Sequence, residues 1–117
     1  MKILEVTMFN YTALINNIKR SEQAYQVYCK NKNYHNALHI FHANEIVYDE
    51  LNSLLKTQTL SNELLKEASL YLFHLEDWFL QFSILEKTVN NPEQDFSFLA
   101  LKDSIPYPSH FLELVNK

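Results

Sequence analysis

LLKEASLYLFHLEDWFLQFSILEKTV, residues Leu64 to Val89, decides the fold. Apolar side chains fall at Leu64, Ala68, Tyr71, Leu75, Trp78, Phe82, Leu85 and Val89, in steps of four and three. Those steps suit a helix of about 3.6 residues per turn and put all of them on one face. A half-buried strand would alternate at every second residue, and no such alternation runs through the chain. The segment predicts a long amphipathic helix.

The same stretch carries a second apolar column, Leu70, Phe73, Leu80 and Ile84, interrupted by Asp77. Leu65, Leu72 and Phe79 lie between the two columns. A helix that is apolar around most of its girth is either central or meets another surface. Two covers compete. One is the C-terminal stretch, which supplies Phe96, Phe98, Leu99, Leu101, Ile105, Phe111 and Leu112. The other is a partner protein, or a second copy of this chain. Fully burying four such side chains contributes on the order of 6–12 kcal/mol before ordering costs. Leu70, Phe73, Leu80 and Ile84 are therefore the candidate partner-binding residues.

Two earlier segments repeat the pattern. In the first, Leu4, Met8, Tyr11, Ile15, Ile18, Glu22, Tyr25 and Cys29 form a stripe. In the second the stripe is Tyr34, Ala37, Phe41, Asn44, Tyr48, Leu51 and Leu55, widened by Ile40, Val47 and Leu54. Lys30-Asn31-Lys32-Asn33 separates these two segments, and Thr57 to Leu60 separates the second from the third. Ser61 is a good N-cap with Glu63 in the first turn. Asn90-Asn91-Pro92 stops the third helix and starts a short fourth one, roughly Pro92 to Lys102. Pro106 and Pro108 impose an extended stretch, and Ser109 caps a last turn through Val115.

The expected fold is all-α: an antiparallel up-down bundle of three long helices, closed by a short C-terminal helical segment. Residues 1–117 form a single domain in this reading, with short links between antiparallel neighbours. Tyr28, Tyr34, Ala37 and Phe41 resemble aromatic and small positions of a tetratricopeptide helix hairpin over about one repeat. Tyr25 stands where that repeat carries Gly, Asn44 where it carries Ala, and nothing recurs one repeat later. Ordinary packing of a helical hairpin explains these residues.

Composition narrows the function. The chain has no glycine, which argues against tight hairpins and phosphate-cradling loops. Asparagine must then supply left-handed backbone, and Asn31, Asn33, Asn90 and Asn91 sit at expected helix ends. The net charge is −4 with a single arginine, Arg20, which argues against nucleic-acid partners. The lone Cys29 cannot form an internal disulfide and reads as a buried structural thiol near a helix C-terminus. No stretch approaches the roughly 20 apolar residues of a membrane helix, so no membrane is expected. Glu5 and Asn10 interrupt any secretory core, and the reading is a soluble cytoplasmic protein.

Three histidines, His35, His39 and His42, share one face of the second segment. On the helical wheel they point away from the stripe, with Asp49, Ile46 and Ser53. One reading is a solvated surface; the alternative is a divalent metal site using all three. The specific templates are missing. No Glu-x-x-His occurs, and no histidine is followed by Glu four residues on or Asp five on, as in hemerythrin-like carriers. His42 and Glu45, His74 and Asp77, and His110 and Glu113 are spaced as one-turn surface pairs.

The stripes are unusually polar. Tyr11, Tyr25, Tyr34, Tyr48 and Tyr71 all fall on them, with Glu22 and Asn44. In one reading the rings pack while the hydroxyls reach the rim, and Asn44 sets register. In the alternative, Tyr25, Asn44, Tyr48 and Glu22 line a pocket for a small polar ligand, with Glu22 as acid or base. Serines and acids form no triad, and Glu76 and Asp77 diverge on adjacent positions. The expected function is thus non-enzymatic and without a cofactor: a homodimer, adaptor, inhibitor or immunity-type protein that acts through protein–protein contact.

Overall fold

A computed structural model describes residues 9–88 and 108–116. Nearly all of them lie in four helices: α1 (Tyr11–Lys30), α2 (Tyr34–Thr57), α3 (Asn62–Thr88) and α4 (Ser109–Val115). No strand occurs among the described residues. The anticipated helix over Pro92–Lys102, the stops at Asn90–Pro92 and the N-terminal Leu4 and Met8 lie outside them.

Side chains fix the ends. Asn10 Oδ1 accepts from the Ala13 amide at 2.9 Å and starts α1. Asn33 Oδ1 accepts from the Asn36 amide at 2.8 Å and starts α2. Ser61 Oγ accepts from the Leu64 amide at 3.2 Å, as its position predicts. Asparagine's role differs from the expectation. Asn31 ends α1 at φ −148°, and Asn33 stands at φ −144°, so neither is left-handed. Asn33 is extended, and its short amide is used as an N-cap instead. At the other end, Pro108 precedes α4 and Ser109 is already helical, with no side-chain cap.

Cross-links define the direction of each neighbour. Asn17 Nδ2 donates to Glu50 Oε1 at 3.0 Å, and Ser21 Oγ donates to Asn44 Oδ1. Positions rise on α1 as they fall on α2, so the pair is antiparallel. Tyr34 Oη donates to Glu86 at 2.7 Å and Tyr48 Oη to Glu76 at 2.8 Å, which makes α2 and α3 antiparallel as well. The up-down-up bundle is the observed architecture, and α4 packs on α3.

The core has two apolar clusters. One joins Leu14 and Ile18 of α1 to Val47, Leu51 and Leu54 of α2, Ala68, Tyr71 and Leu75 of α3, and Phe111 and Leu112 of α4. The other joins Tyr28, Ala37, Ile40, Trp78 and Phe82. Full burial of a side chain such as Leu75 or Phe82 is worth about 1.5–3 kcal/mol. The α3 stripe is buried where the spacing placed it, from Ala68 to Phe82.

The stripes of α1 and α2 are rotated from expectation. On α1 the seam runs Leu14, Ile18, Ser21, Tyr25 and Tyr28, one position round from the Tyr11–Ile15 stripe. Glu22 is then only half-buried, and Cys29 is exposed, not a core thiol. On α2 the deepest residues are Ala37, Ile40, Asn44, Val47, Leu51 and Leu54, while Tyr34, Phe41, Tyr48 and Leu55 are half-buried. As the middle helix, α2 has neighbours on two sides. Its Phe41 ring meets Phe79 and Phe82 of α3 at centroid distances of 5.2 and 4.9 Å.

Candidate interaction surface

The two faces of α3 differ in what covers them. Tyr71, Leu75, Trp78 and Phe82 face the bundle and are at most 5% exposed. The opposite face carries Phe73 at 61%, Leu80 at 59%, Ile84 at 51% and Leu70 at 47% exposure. Asp77 is exposed between them, and its Oδ2 accepts from Gln81 Nε2 at 2.8 Å. Leu65, 46% exposed, flanks the column. Four large apolar side chains share this exposed face as two pairs, Leu70 with Phe73 and Leu80 with Ile84, on either side of Asp77.

The described part of the C-terminal stretch does not cover this column. Phe111 and Leu112 are buried, and Phe111 packs on Tyr71 at a centroid distance of 5.9 Å, on the core side. Phe96, Phe98, Leu99, Leu101 and Ile105 lie outside the described residues. His110 of α4 rests between two carboxylates of α3: Nε2 lies 2.9 Å from Glu63 and Nδ1 3.3 Å from Glu67. Those contacts replace the pairing with Glu113 that the one-turn spacing suggested. A shallow cleft of about 180 Å³ at this junction is lined by Leu70, Tyr71, His74, Pro108, His110 and Phe111, among others.

The same helical spacing extends the column beyond its four apolar residues. Lys66 is four before Leu70, and Lys87 is three after Ile84. Both are exposed. They are charged, so they carry no apolar signal, but they stand at heptad positions of the same column.

His35, His39 and His42 are all exposed on α2, as the wheel placed them. His42 Nδ1 lies 3.3 Å from Glu45 Oε1. Among the described residues, no group of three or more His, Cys, Asp or Glu side chains is placed to hold a metal ion.

The four pocket candidates occupy separate environments. Glu22 accepts from Gln26 at 3.2 Å on its own helix. Tyr25 packs on Tyr28 at 6.3 Å between centroids. Asn44 is buried, with its Oδ1 held by Ser21 and its Nδ2 without a hydrogen-bond partner. It stands between the two apolar clusters on α2. Tyr48 faces α3 and lines an open cleft of about 300 Å³ with Phe41, Glu45, Asp49 and Phe79. Its hydrogen bond to Glu76, whose carboxylate also repels a phenolate, holds the Tyr48 hydroxyl above its ordinary pKa. Burial raises that of Tyr11. No helix among the described residues is long and apolar enough to cross a membrane. Comparison with known protein families, curated proteins and solved structures finds no match to this chain, so its function is argued from its own residues.

Proposed function

We propose that this chain is a non-enzymatic helical module that binds another protein through the outward face of α3. The observation that carries the reading is the exposed column Leu70, Phe73, Leu80 and Ile84 on a helix whose other face is fully packed. The bundle needs none of these four to complete its core clusters. Large aliphatic and aromatic side chains in one row are the usual anchors of a helix laid against a helix.

Magnitudes set the character of the contact. The four side chains are already about half covered by their own helix and neighbours. Completing their burial therefore adds on the order of 3–6 kcal/mol, half of the full-burial figure. Association costs about 4–15 kcal/mol in lost freedom. The column alone does not sustain a stable complex, and the polar groups beside it must contribute.

The test is a Phe73→Glu/Leu80→Glu double variant. Affinity capture from the encoding organism is run beside thermal unfolding of both proteins. The expected result is a stoichiometric partner held by the natural chain and lost by the variant, with an unchanged melting temperature. Identical partners for both proteins would contradict the reading. So would unfolding of the variant, which would assign the column to the chain's own core.

A further inference from the structure

The outward face of α3 has a charge order as well as an apolar one. Lys66, Leu70, Phe73, Asp77, Leu80, Ile84 and Lys87 advance by four, three, four, three, four and three. That is the seam of a coiled coil, on the side of α3 opposite its core seam. Its middle position is a carboxylate and its two ends are ammonium groups, each about 15–17 Å from Asp77 along the axis. All three charged residues are exposed. Asp77 is hydrogen-bonded to Gln81 of its own helix and has no basic partner among the described residues.

A second copy of the chain fits this order badly. Any parallel in-register pairing sets Asp77 against Asp77, Lys66 against Lys66 and Lys87 against Lys87. The antiparallel registers, in which each a position faces a d position, set Asp77 against Leu80 or against Phe73 and close its carboxylate against apolar side chains. The parallel pairing meets like charge at every charged position and the antiparallel ones leave Asp77 without a cation, which is how natural seams reject a partner. An unpaired carboxylate closed into a seam is costly, whereas one that meets a cation fixes register and orientation.

We infer that the face takes an amphipathic helix of a different protein, with a lysine or arginine at the middle of its apolar seam and acidic residues about three turns away at each end. This rests on the interaction reading above and names the chemistry of its partner. The lysine or arginine pairs with Asp77, and the acidic ends pair with Lys66 and Lys87.

The probes are two synthetic amphipathic helices with the same apolar seam. One carries Lys at the middle and Glu at both ends; the other carries Asp at the middle and Lys at both ends. Fluorescence anisotropy against the full chain is expected to show at least about tenfold tighter binding of the lysine-centred peptide, narrowing as salt is raised. Asp77→Lys should reverse the preference. In sedimentation the natural chain should stay monomeric at neutral pH, and Asp77→Leu should self-associate. Equal binding of both peptides, or a preference that survives Asp77→Lys, overturns the charge order but leaves the face as a docking surface. Binding of neither peptide overturns the docking surface itself. A neutral-pH dimer of the natural chain that Phe73→Glu abolishes shows a second copy as the occupant and overturns the inference.

Discussion

The two faces of α3 are built from the same kinds of residue at the same spacing, and they have opposite fates. The inner one, from Ala68 to Phe82, is sealed by all three other helices. The outer one, from Leu70 to Ile84, stands open. A three-to-four repeat states that side chains share a face; it does not state what covers that face. The outer column also differs in one chemical respect. It carries Asp77 at its centre, while the inner face of α3 has no charge from Ala68 to Phe82. A carboxylate is tolerated where water or a cation reaches it and excluded where only rings pack.

Substitutions separate the faces most sharply. Trp78→Ala should remove about 3–5 kcal/mol of stability in chemical denaturation, the usual cost for a large buried ring. Phe73→Ala should stay within about 0.5 kcal/mol, as at an exposed site. Comparable losses at both positions would erase the distinction. Between these extremes lies the polar layer of α1 and α2. Ser21→Ala leaves buried Asn44 without the donor to its Oδ1 and should cost about 1–3 kcal/mol. A neutral result would mean that Asn44 finds another partner.

How far these differences were legible follows from the physics of each region. The periodicity of α3 was unambiguous because eight apolar positions share one phase. The α1 stripe was rotated because Tyr11, Ile15 and Cys29 compete with Leu14 and Tyr28 while Ile18 and Tyr25 serve either phase, and a pattern of two adjacent apolar columns leaves its centre undefined. Core tyrosines and an exposed Cys29 follow from that rotation. The histidines of α2 were placed outward correctly, since His35, His39 and His42 all lie well over a quarter turn from that seam in either phase. The outer column of α3 was visible as apolar residues, but Lys66 and Lys87 were not, because charged residues on a helix surface are the ordinary case. The clasp of His110 by Glu63 and Glu67 was invisible, since contacts between distant segments leave no local spacing.

A smaller effect sharpens the contrast between packed and rim groups. Tyr48 donates to Glu76, and its ionisation requires that bond to break. Its pKa is raised in the folded chain, so its contribution is present below the ordinary value of 10.0 and is lost as pH rises beyond it. Tyr48→Phe should therefore lose about 0.5–1 kcal/mol near neutral pH and show a shallower alkaline decline in melting temperature. Parallel alkaline profiles would place the titration elsewhere. The smallest effect concerns the histidine face. Chelator treatment should leave the melting temperature unchanged, and a drop on metal removal would revive His35, His39 and His42 as ligands.

Thiol labelling tests the openness of the outer face most directly. Cysteines placed by Phe73→Cys or Leu80→Cys, each with Cys29→Ser, are alkylated in the folded full chain and compared with native Cys29, which is exposed. The account predicts rates close to that of Cys29, and protection of both positions when the lysine-centred peptide is added. Protection at positions 73 and 80 in the free chain would contradict it, because the column would then be covered before any partner arrives.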